Sequence, residues 1–340
     1  MSRKTGRLLS ATLAAGLVLS LGGAALAAPA VGMVKQFKVP TANSQPRAIT
    51  NGSDGNRWFT ESDLNVNFTK IARITPAGAV TEFTPGPADG CNQCGISDIA
   101  QGPGNILYIT ANSGDLMRFN VSTLSFLSPV PIQTGTVAAN SVDKVAVSGT
   151  DVWITDFNTH VIWRYNIASG AFTTFAANPG DVAVDSAGNA WFTEPQTNPD
   201  LTSNIGRIDR VTGAVTRTVV VPAAVHITVS PTDGKVWFAA RFPSGPAGQG
   251  VGYIDPANSN AVSFFPVANT GPAGIAAGID GSIWFTQETK GNVASITNAG
   301  VITEGKAVKG SGPAGVTVAP NGDPWYTMMD ANKIAALVSK

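Results

Sequence analysis

A unit of about 45 residues recurs seven times in this chain, and this repeat constrains the fold more than any other feature. At residues 271–286 the unit is Gly-Pro-Ala-Gly-Ile-Ala-Ala-Gly-Ile-Asp-Gly-Ser-Ile-Trp-Phe-Thr. The aromatic residue of its Trp-Phe-Thr segment returns at steps of 50, 45, 38, 46, 47 and 41 residues, at Trp58, Tyr108, Trp153, Trp191, Trp237, Trp284 and Trp325. A period of this length is typical of the blades of a propeller.

Each unit contains the signals of four antiparallel strands. An apolar strand after Pro-x-Gly ends at an Asp-Gly or Asn-Gly turn, the strongest short hairpin signal, and the Trp-Phe-Thr strand follows. A third strand such as Ile205–Ile208 and a fourth such as Ala79–Phe83 complete the unit. Four strands in this length make one blade, so the sequence predicts an all-β fold, a seven-bladed β-propeller. A six-bladed ring with one additional unit is the alternative.

The two ends of the chain are predicted to close the ring. The seventh unit reaches its third strand at residues 333–338 and then stops. A segment with the pattern of the missing fourth strand, Val34-Lys35-Gln36-Phe37-Lys38-Val39, lies near the beginning of the chain. A last blade that both termini share leaves no exposed strand edge.

The first 28 residues are predicted to be a signal peptide that is removed on export. Arg3, Lys4 and Arg7 form a positive segment, an apolar run covers residues 8–26, and residues 24–28 offer a small-residue cleavage site. A membrane anchor is the alternative, although glycines and serines within the run weaken a spanning helix. Residues 29–340 are then expected to be one propeller domain, secreted or otherwise extracytoplasmic.

The charges of the chain argue against some classes of partner. The sequence has 22 basic and 22 acidic residues, and loss of the signal peptide leaves the remainder mildly acidic. It contains no basic patch of the kind that binds nucleic acid or a membrane surface. We therefore expect a monomer that binds a small molecule or a peptide, with no nucleic-acid partner and no membrane partner once the signal is cleaved.

Two rings of residues are predicted at one end of the propeller, because a hairpin places the start of its first strand beside the end of its second. The strand-start ring consists of Arg47, Ser97, Asp143, Gly180, His226, Ala273 and Ala314. The strand-end ring follows each Trp-Phe-Thr segment and consists of Glu61, Ala111, Asp156, Glu194, Ala240, Gln287 and Met328. Long loops at the same end, residues 62–69, 195–204 and 241–250, are where ligand contacts usually lie.

His226 and Glu194, in neighbouring blades, are predicted to form a histidine–carboxylate pair near the central mouth. Such a pair can serve acid–base catalysis or hold a divalent metal, so both residues are candidate catalytic residues and candidate metal ligands. The candidates for substrate binding are Arg47, Asp156, Arg241 and Gln287.

Structural roles are the alternatives for these residues. Acidic residues after Trp-Phe-Thr often accept backbone hydrogen bonds or pair with arginine, as Glu61 would with Arg47. His226 is equally open to a structural role. His160, at the start of a third strand, lies farther from the axis and is expected on the surface.

Cys91 and Cys94 are the only two cysteines of the chain. In an exported protein, two cysteines this close most simply form a small disulfide-closed loop. A redox CxxC motif would need a helix after a strand, which this fold lacks, and two cysteines are too few for a structural zinc site.

The complete repeat resembles the streptogramin B lyase (virginiamycin B lyase) family of seven-bladed propellers. The resemblance rests on Gly-Pro-x-Gly-Ile-Ala, Ile-Trp-Phe-Thr-Glu, Ile-Gly-Arg-Ile and Gly-x-Ile-Thr-Glu segments, clearest at residues 271–304, 191–208 and 58–83. It covers nearly all of the chain after the signal peptide.

The resemblance implies a lyase that opens a cyclic depsipeptide by β-elimination at its ester, without hydrolysis, assisted by Mg²⁺. The family has histidines in Pro-His-Gly-Ile-Thr-like first strands of successive blades, with glutamates nearby. His226 is similar to one of these histidines, whereas the neighbouring blades have Gly180 and Ala273. Two hypotheses follow: a lyase in which His226 acts with Glu194, and with Asp156 or Gln287 beside them, or a non-catalytic propeller that binds a ligand or an envelope component.

Overall fold

A computed structural model describes residues 32–63, 68–91, 94–134, 137–139, 142–194, 203–220, 223–241, 248–267 and 269–338. These residues form seven four-stranded antiparallel sheets, and the predicted all-β, seven-bladed propeller is confirmed. The predicted signal peptide, residues 1–28, lies outside the described residues and stays a prediction.

The four strands of a blade follow one another outward from the axis, and the blades are numbered one to seven along the chain. The innermost strands are Pro46–Asn51, Ile96–Gln101, Val142–Val147, Val182–Val184, Ala224–Val229, Pro272–Ala277 and Pro313–Val318. The second strands are Arg57–Asp63, Ile106–Ala111, Asp151–Asp156, Ala190–Glu194, Val236–Ala240, Ile283–Gln287 and Pro324–Met328.

The third strands are Phe68–Ile74, Asp115–Asn120, Val161–Asn166, Ser203–Ile208, Gly250–Asp255, Asn292–Ile296 and Lys333–Val338. The outermost strands are Val80–Phe83, Ser125–Pro131, Phe172–Ala176, Val215–Val220, Ala261–Pro266, Ile302–Glu304 and, in blade seven, Met33–Lys38. The sequence did not predict an additional two-stranded hairpin, Gln133–Thr134 with Val137–Ala138. The described helices are two 3₁₀ turns, Pro87–Asp89 and Pro256–Asn258.

The hydrophobic core lies between adjacent blades. Strand residues alternate between the two faces of a blade, so the Trp and the Phe of one Trp-Phe-Thr segment face opposite neighbours. Trp58 of blade one packs on Phe119 of blade two, with ring centroids 5.1 Å apart. Phe59, the next residue, lies in the core shared with Trp325 of blade seven. The repeated aromatic pair therefore joins each blade to both of its neighbours.

The threonine of the same segment links neighbouring innermost strands. Thr327 is buried, and its hydroxyl accepts a hydrogen bond from the Gly315 N–H at 2.9 Å and donates one to the Arg47 carbonyl at 2.7 Å. Thr193 likewise accepts from the Asp181 N–H at 2.9 Å. These bonds satisfy partly buried backbone groups of the innermost strands.

The ring closes as predicted. Met33–Lys38 pairs antiparallel with Lys333–Val338, with Phe37 opposite Ile334 and stacked on Trp325 at 5.5 Å between ring centroids. The Asn332 side chain accepts a hydrogen bond from the Ser44 N–H at 2.9 Å. The six-bladed alternative is therefore wrong.

Cys91 and Cys94 form the predicted disulfide, with their Cα atoms 5.0 Å apart. Both cysteines are buried in the core between blades one and two. Among the described residues, no helix is long and apolar enough to span a membrane.

Candidate functional site

A cavity of about 350 Å³ opens on the axis where the innermost strands begin. Six of the seven predicted strand-start residues line it: Arg47, Ser97, Asp143, His226, Ala273 and Ala314. In blade four the lining residue is Asp181, next to the predicted Gly180. The structure thus brings residues from all seven blades to one mouth.

A β-bulge near the start of the innermost strand shifts which residues face this mouth. The register shifts between Pro46 and Ile49, and equivalent shifts occur in blades two, three, five, six and seven. A bulge inserts a residue and redirects side chains locally, so the period of two along a strand does not continue through it. Sequence spacing alone therefore misplaces residues here by one position.

The register of the innermost strands defines a ring of seven equivalent residues, each immediately before the buried aliphatic residue that pairs with the second residue of the Trp-Phe-Thr-like segment. We call this the mouth ring; its members in blades one to seven are Ala48, Asp98, Lys144, Asp181, His226, Gly274 and Gly315. Blades two to five supply ionisable side chains, whereas blades six, seven and one supply small residues. A Cβ on Gly274 or Gly315 would overlap a backbone carbonyl of the next blade, so side chains larger than hydrogen do not fit there.

His226 is held by Asp181 of the neighbouring blade. Its Nδ1 lies 3.1 Å from Asp181 Oδ2, which also accepts the Ile227 N–H at 3.2 Å, while Oδ1 accepts the Val182 N–H at 2.8 Å. A carboxylate at Nδ1 favours the tautomer that carries its proton there, which leaves Nε2 as the proton acceptor. The His226 side chain is 30 % exposed and lines the cavity.

Glu194, the carboxylate predicted to pair with His226, has other partners. Arg217 donates from Nε to Oε2 at 2.7 Å and from a terminal nitrogen to Oε1 at 2.9 Å, and the Asn178 N–H also donates to Oε1. Although burial opposes it, the Arg217 hydrogen bonds hold the pKa of Glu194 below its usual range. The predicted His226–Glu194 pair is not formed, because the bulge aims His226 at Asp181.

The other strand-end residues are buried away from the cavity. Asp156 accepts hydrogen bonds from the Thr159 N–H at 3.1 Å and from Trp163 Nε1 at 3.4 Å. Gln287 is fully buried, and neither amide atom has a hydrogen-bond partner in the described part of the chain. Burial raises the pKa of Glu61 to about 7, with Ser44 and Lys70 opposing and Glu82 adding to the shift.

The residues one position farther along the chain line the cavity instead: Ser62, Arg241, Glu288 and Met329. Of the predicted substrate-binding residues, Arg47 and Arg241 therefore lie at the mouth, and Asp156 and Gln287 do not. Arg241 forms an ion pair with Glu288 across blades five and six. Most of the long loops after residues 194 and 241 lies outside the described residues.

Lys144 lies among three carboxylates in the charged half of the mouth ring. Its Nζ is 3.4 Å from Asp143 Oδ1. Burial lowers the pKa of Lys144, but Asp143, Asp98 and Asp181 outweigh it and hold the pKa above its usual range. Burial raises the pKa of Asp98 to about 6, against the lowering effect of Lys144 and together with the charge of Asp181. Lys144 is therefore a protonated cation at neutral pH.

Magnesium does not fit the predicted ligands His226 and Glu194. Both oxygens of Glu194 are held by the guanidinium of Arg217, and a second cation is repelled there. In the charged half of the mouth, the Lys144 ammonium already lies where a divalent ion would compensate the carboxylates. Among the described residues, no group of three or more His, Cys, Asp or Glu side chains is arranged to hold a metal ion.

Sequence reasoning missed Asp98, Lys144 and Asp181. Their common signal is local: each directly precedes the aliphatic residue that pairs with the second residue of the Trp-Phe-Thr-like segment, namely Ile99, Val145 and Val182. His160 is exposed, as predicted, and its Nδ1 lies 3.0 Å from Asn178 Oδ1.

The fold and the site define a class of protein. It is a seven-bladed propeller with a polar cavity at one mouth, where blades two to five supply ionisable side chains. The sequence profile of the Virginiamycin B lyase family matches residues 131–340, more than half of the chain. The chain belongs to this family.

Individual relatives are distant. A virginiamycin B lyase of Nocardia farcinica (strain IFM 10152) is 26 % identical over 168 residues, which cover 49 % of this chain and 55 % of that protein. The chain thus matches about half the length of this curated relative.

Two solved structures have the same fold. A streptogramin B lyase structure superimposes with a TM-score of 0.73 at 24 % identity, covering 91 % of this chain and 98 % of that one. A catalytically inactive histidine-to-alanine variant of virginiamycin B lyase from Staphylococcus aureus, with quinupristin, gives a TM-score of 0.71 at 22 % identity, covering 89 % and 98 %.

Proposed function

We propose that the mouth of this propeller is a lyase site that opens an ester of a cyclic depsipeptide by β-elimination, with His226 as the base. The structural observation on which this proposal rests is the His226–Asp181 pair, which lines the cavity with Nε2 left as proton acceptor. Membership of the Virginiamycin B lyase family supports the reaction class. The family relative that is inactive as a histidine-to-alanine variant supports the use of histidine.

The reaction transfers one proton and breaks one carbon–oxygen bond. His226 takes the proton from the carbon next to the amide carbonyl, and the released electron pair forms a carbon–carbon double bond. The ester oxygen on the neighbouring carbon then leaves as part of a carboxylate, so that no water is consumed. Asp181 stabilises the imidazolium that forms, and the Lys144 ammonium in the same cavity stabilises negative charge on the carbonyl oxygen.

The two histidines of the chain provide a matched test. Purified protein is incubated with quinupristin, and loss of the cyclic substrate is followed by liquid chromatography. His226→Ala should abolish the loss, and His160→Ala should leave it unchanged, because His160 is exposed and lies outside the cavity.

A parallel series with added Mg²⁺ and with a chelator tests the metal expectation. Because the described ligands do not fit magnesium, the rate should be the same in both. A rate that depends on Mg²⁺ would mean that residues other than His226 and Glu194 bind the ion.

A second candidate function, a non-catalytic ligand-binding propeller, is supported by the register of blades five and six. In the Pro-His-Gly-Ile pattern the histidine follows the first residue of the strand, and this chain has Val225 and Ala273 at those positions. This candidate predicts that quinupristin, or another peptide-like ligand, binds to the wild-type protein in calorimetry and is recovered intact.

We also propose that the protein is exported as a monomer and acts outside the cytoplasm. The Cys91–Cys94 disulfide supports this location, because disulfides persist in oxidising compartments. The test is the intact mass of protein recovered from the extracytoplasmic fraction, which should lack residues 1–28, combined with its mass in solution by light scattering. Retention of residues 1–28 would favour the membrane anchor.

A further inference from the structure

Three cations line the cavity, and they differ in their partners. Lys144 lies 3.4 Å from Asp143, and Arg241 is paired with Glu288. Arg47 has no carboxylate partner in the described part of the chain. Its one described side-chain hydrogen bond joins a terminal nitrogen to Gln45 Oε1 at 3.4 Å, and its Nε is buried without a partner.

The surroundings of Arg47 leave room for a ligand group and hold the backbone in place. Arg47 belongs to blade one, and the small half of the mouth ring continues beside it with Ala48, Gly315 and Gly274. Its carbonyl accepts the Thr327 hydroxyl at 2.7 Å, and the N–H of Ala48 is bonded to Thr60 at 3.1 Å. The Arg47 side chain thus extends from a hydrogen-bonded strand end and lines the cavity.

The acidic side chains of the mouth ring lie in other blades. Asp98 belongs to blade two and Asp181 to blade four, where they bond to the backbone of the following blade. Lys144 lies between them in blade three. The cavity therefore has an acidic side, where three carboxylates surround Lys144, and a cationic side at Arg47, which has no carboxylate partner in the described part of the chain. A ligand that matches this distribution presents an anion to blade one.

We propose that Arg47 is a carboxylate-binding subsite of the mouth. A guanidinium binds a carboxylate through two parallel hydrogen bonds, and the two terminal nitrogens of Arg47, which lines the cavity, can form such a pair of donors. The subsite deepens the proposed function and rests on it for one assignment: the bound group is the carboxylate that β-elimination releases. A carboxylate already present in the intact ligand has the same chemistry and would bind in the same way.

The test compares two probes that differ only in charge. N-acetyl-L-phenylalanine and its uncharged amide are titrated into the full mature protein at neutral pH and low salt, and binding is followed by NMR. Wild type should bind the acid at least roughly tenfold more tightly than the amide, as expected for a charge-assisted pair. Arg47→Gln should bind both equally, and Arg47→Lys should retain part of the preference.

Arg73→Gln is the matched control, since Arg73 belongs to the same blade and does not line the cavity. It should keep the wild-type preference for the acid. Equal binding of both probes to wild type, or a preference that survives in Arg47→Gln, would overturn the subsite. The experiment involves no elimination step, so a protein without lyase activity that still prefers the acid through Arg47 would refute the proposed function and leave the subsite intact.

Discussion

At the scale of single residues, the mouth depends on which carboxylate holds His226. The sequence predicted the histidine, because it is one of only two and lies at a strand start. It did not predict Asp181, because the spacing of the repeat pointed to the preceding residue, Gly180. A local irregularity of the backbone, not an error in the repeat, separated the predicted pair from the observed one.

Asp181→Asn tests the positioning role of the carboxylate. The amide preserves the shape but no longer stabilises the imidazolium, so kcat on quinupristin should fall by about 100-fold or more while KM changes little. Asp280→Asn, at an exposed turn of blade six, is the control and should be neutral. A raised KM with an unchanged kcat would contradict a role in proton transfer.

Glu61 predicts a pH dependence of stability. Its folded pKa of about 7 lies above the usual value of 4.5, so the folded state binds more protons than the unfolded state between these values. Stability therefore falls as pH rises through this window, by up to about 3 kcal/mol. Glu61→Gln should reduce this fall, measured as the difference between urea unfolding free energies at pH 5 and pH 8, and the fall that remains includes that of Asp98, whose pKa burial raises to about 6. An unchanged difference would contradict the raised pKa.

At the scale of the strand, the residues of the Trp-Phe-Thr segment have different roles: the aromatic residues pack between blades, and the threonine forms hydrogen bonds to innermost strands. The aromatic pair could be assigned to the core from sequence, since strand residues alternate between faces. The hydrogen bond from the threonine to the next blade could not be predicted from sequence, because its acceptor is a backbone carbonyl at the β-bulge of a strand in another repeat. Blade five has Ala239 at this position, so the link is not repeated there.

Thr327→Val should destabilise the protein by about 1–3 kcal/mol, because it leaves the partly buried Gly315 N–H and Arg47 carbonyl without these hydrogen bonds. Thr81→Val, an exposed position on the outermost strand of blade one, should change stability by less than about 0.5 kcal/mol. Chemical denaturation of both variants measures the difference. Equal losses of unfolding free energy in the two variants would mean that the hydrogen bonds of Thr327 do not stabilise the protein.

At the scale of the whole molecule, the repeat predicted the blade number, the order of strands and the shared last blade, because these follow from periods that extend along the entire chain. The short strand pair of Gln133–Thr134 with Val137–Ala138 was not predicted, since it lies outside the repeat. The composition of the mouth was predicted only in part, because it combines one residue from each of seven distant segments.

Ring closure is tested by two truncations. A chain that begins at residue 29 should unfold cooperatively, because it keeps the strand Met33–Lys38. A chain that begins at residue 40 leaves the strand Lys333–Val338 as an open edge and loses the stacking of Phe37 on Trp325. It should aggregate or melt at a clearly lower temperature in calorimetry. Equal melting of the two chains would show that closure does not depend on this strand.

The most direct test of the proposed lyase is to separate the product formed from quinupristin from the cyclic substrate by liquid chromatography and to measure its mass. β-Elimination opens the ring without adding water, so wild-type protein and His160→Ala should yield a linear product with the mass of the substrate, and His226→Ala should yield none. An intact cyclic substrate after incubation with wild type, or a product heavier by one water, would contradict the proposal.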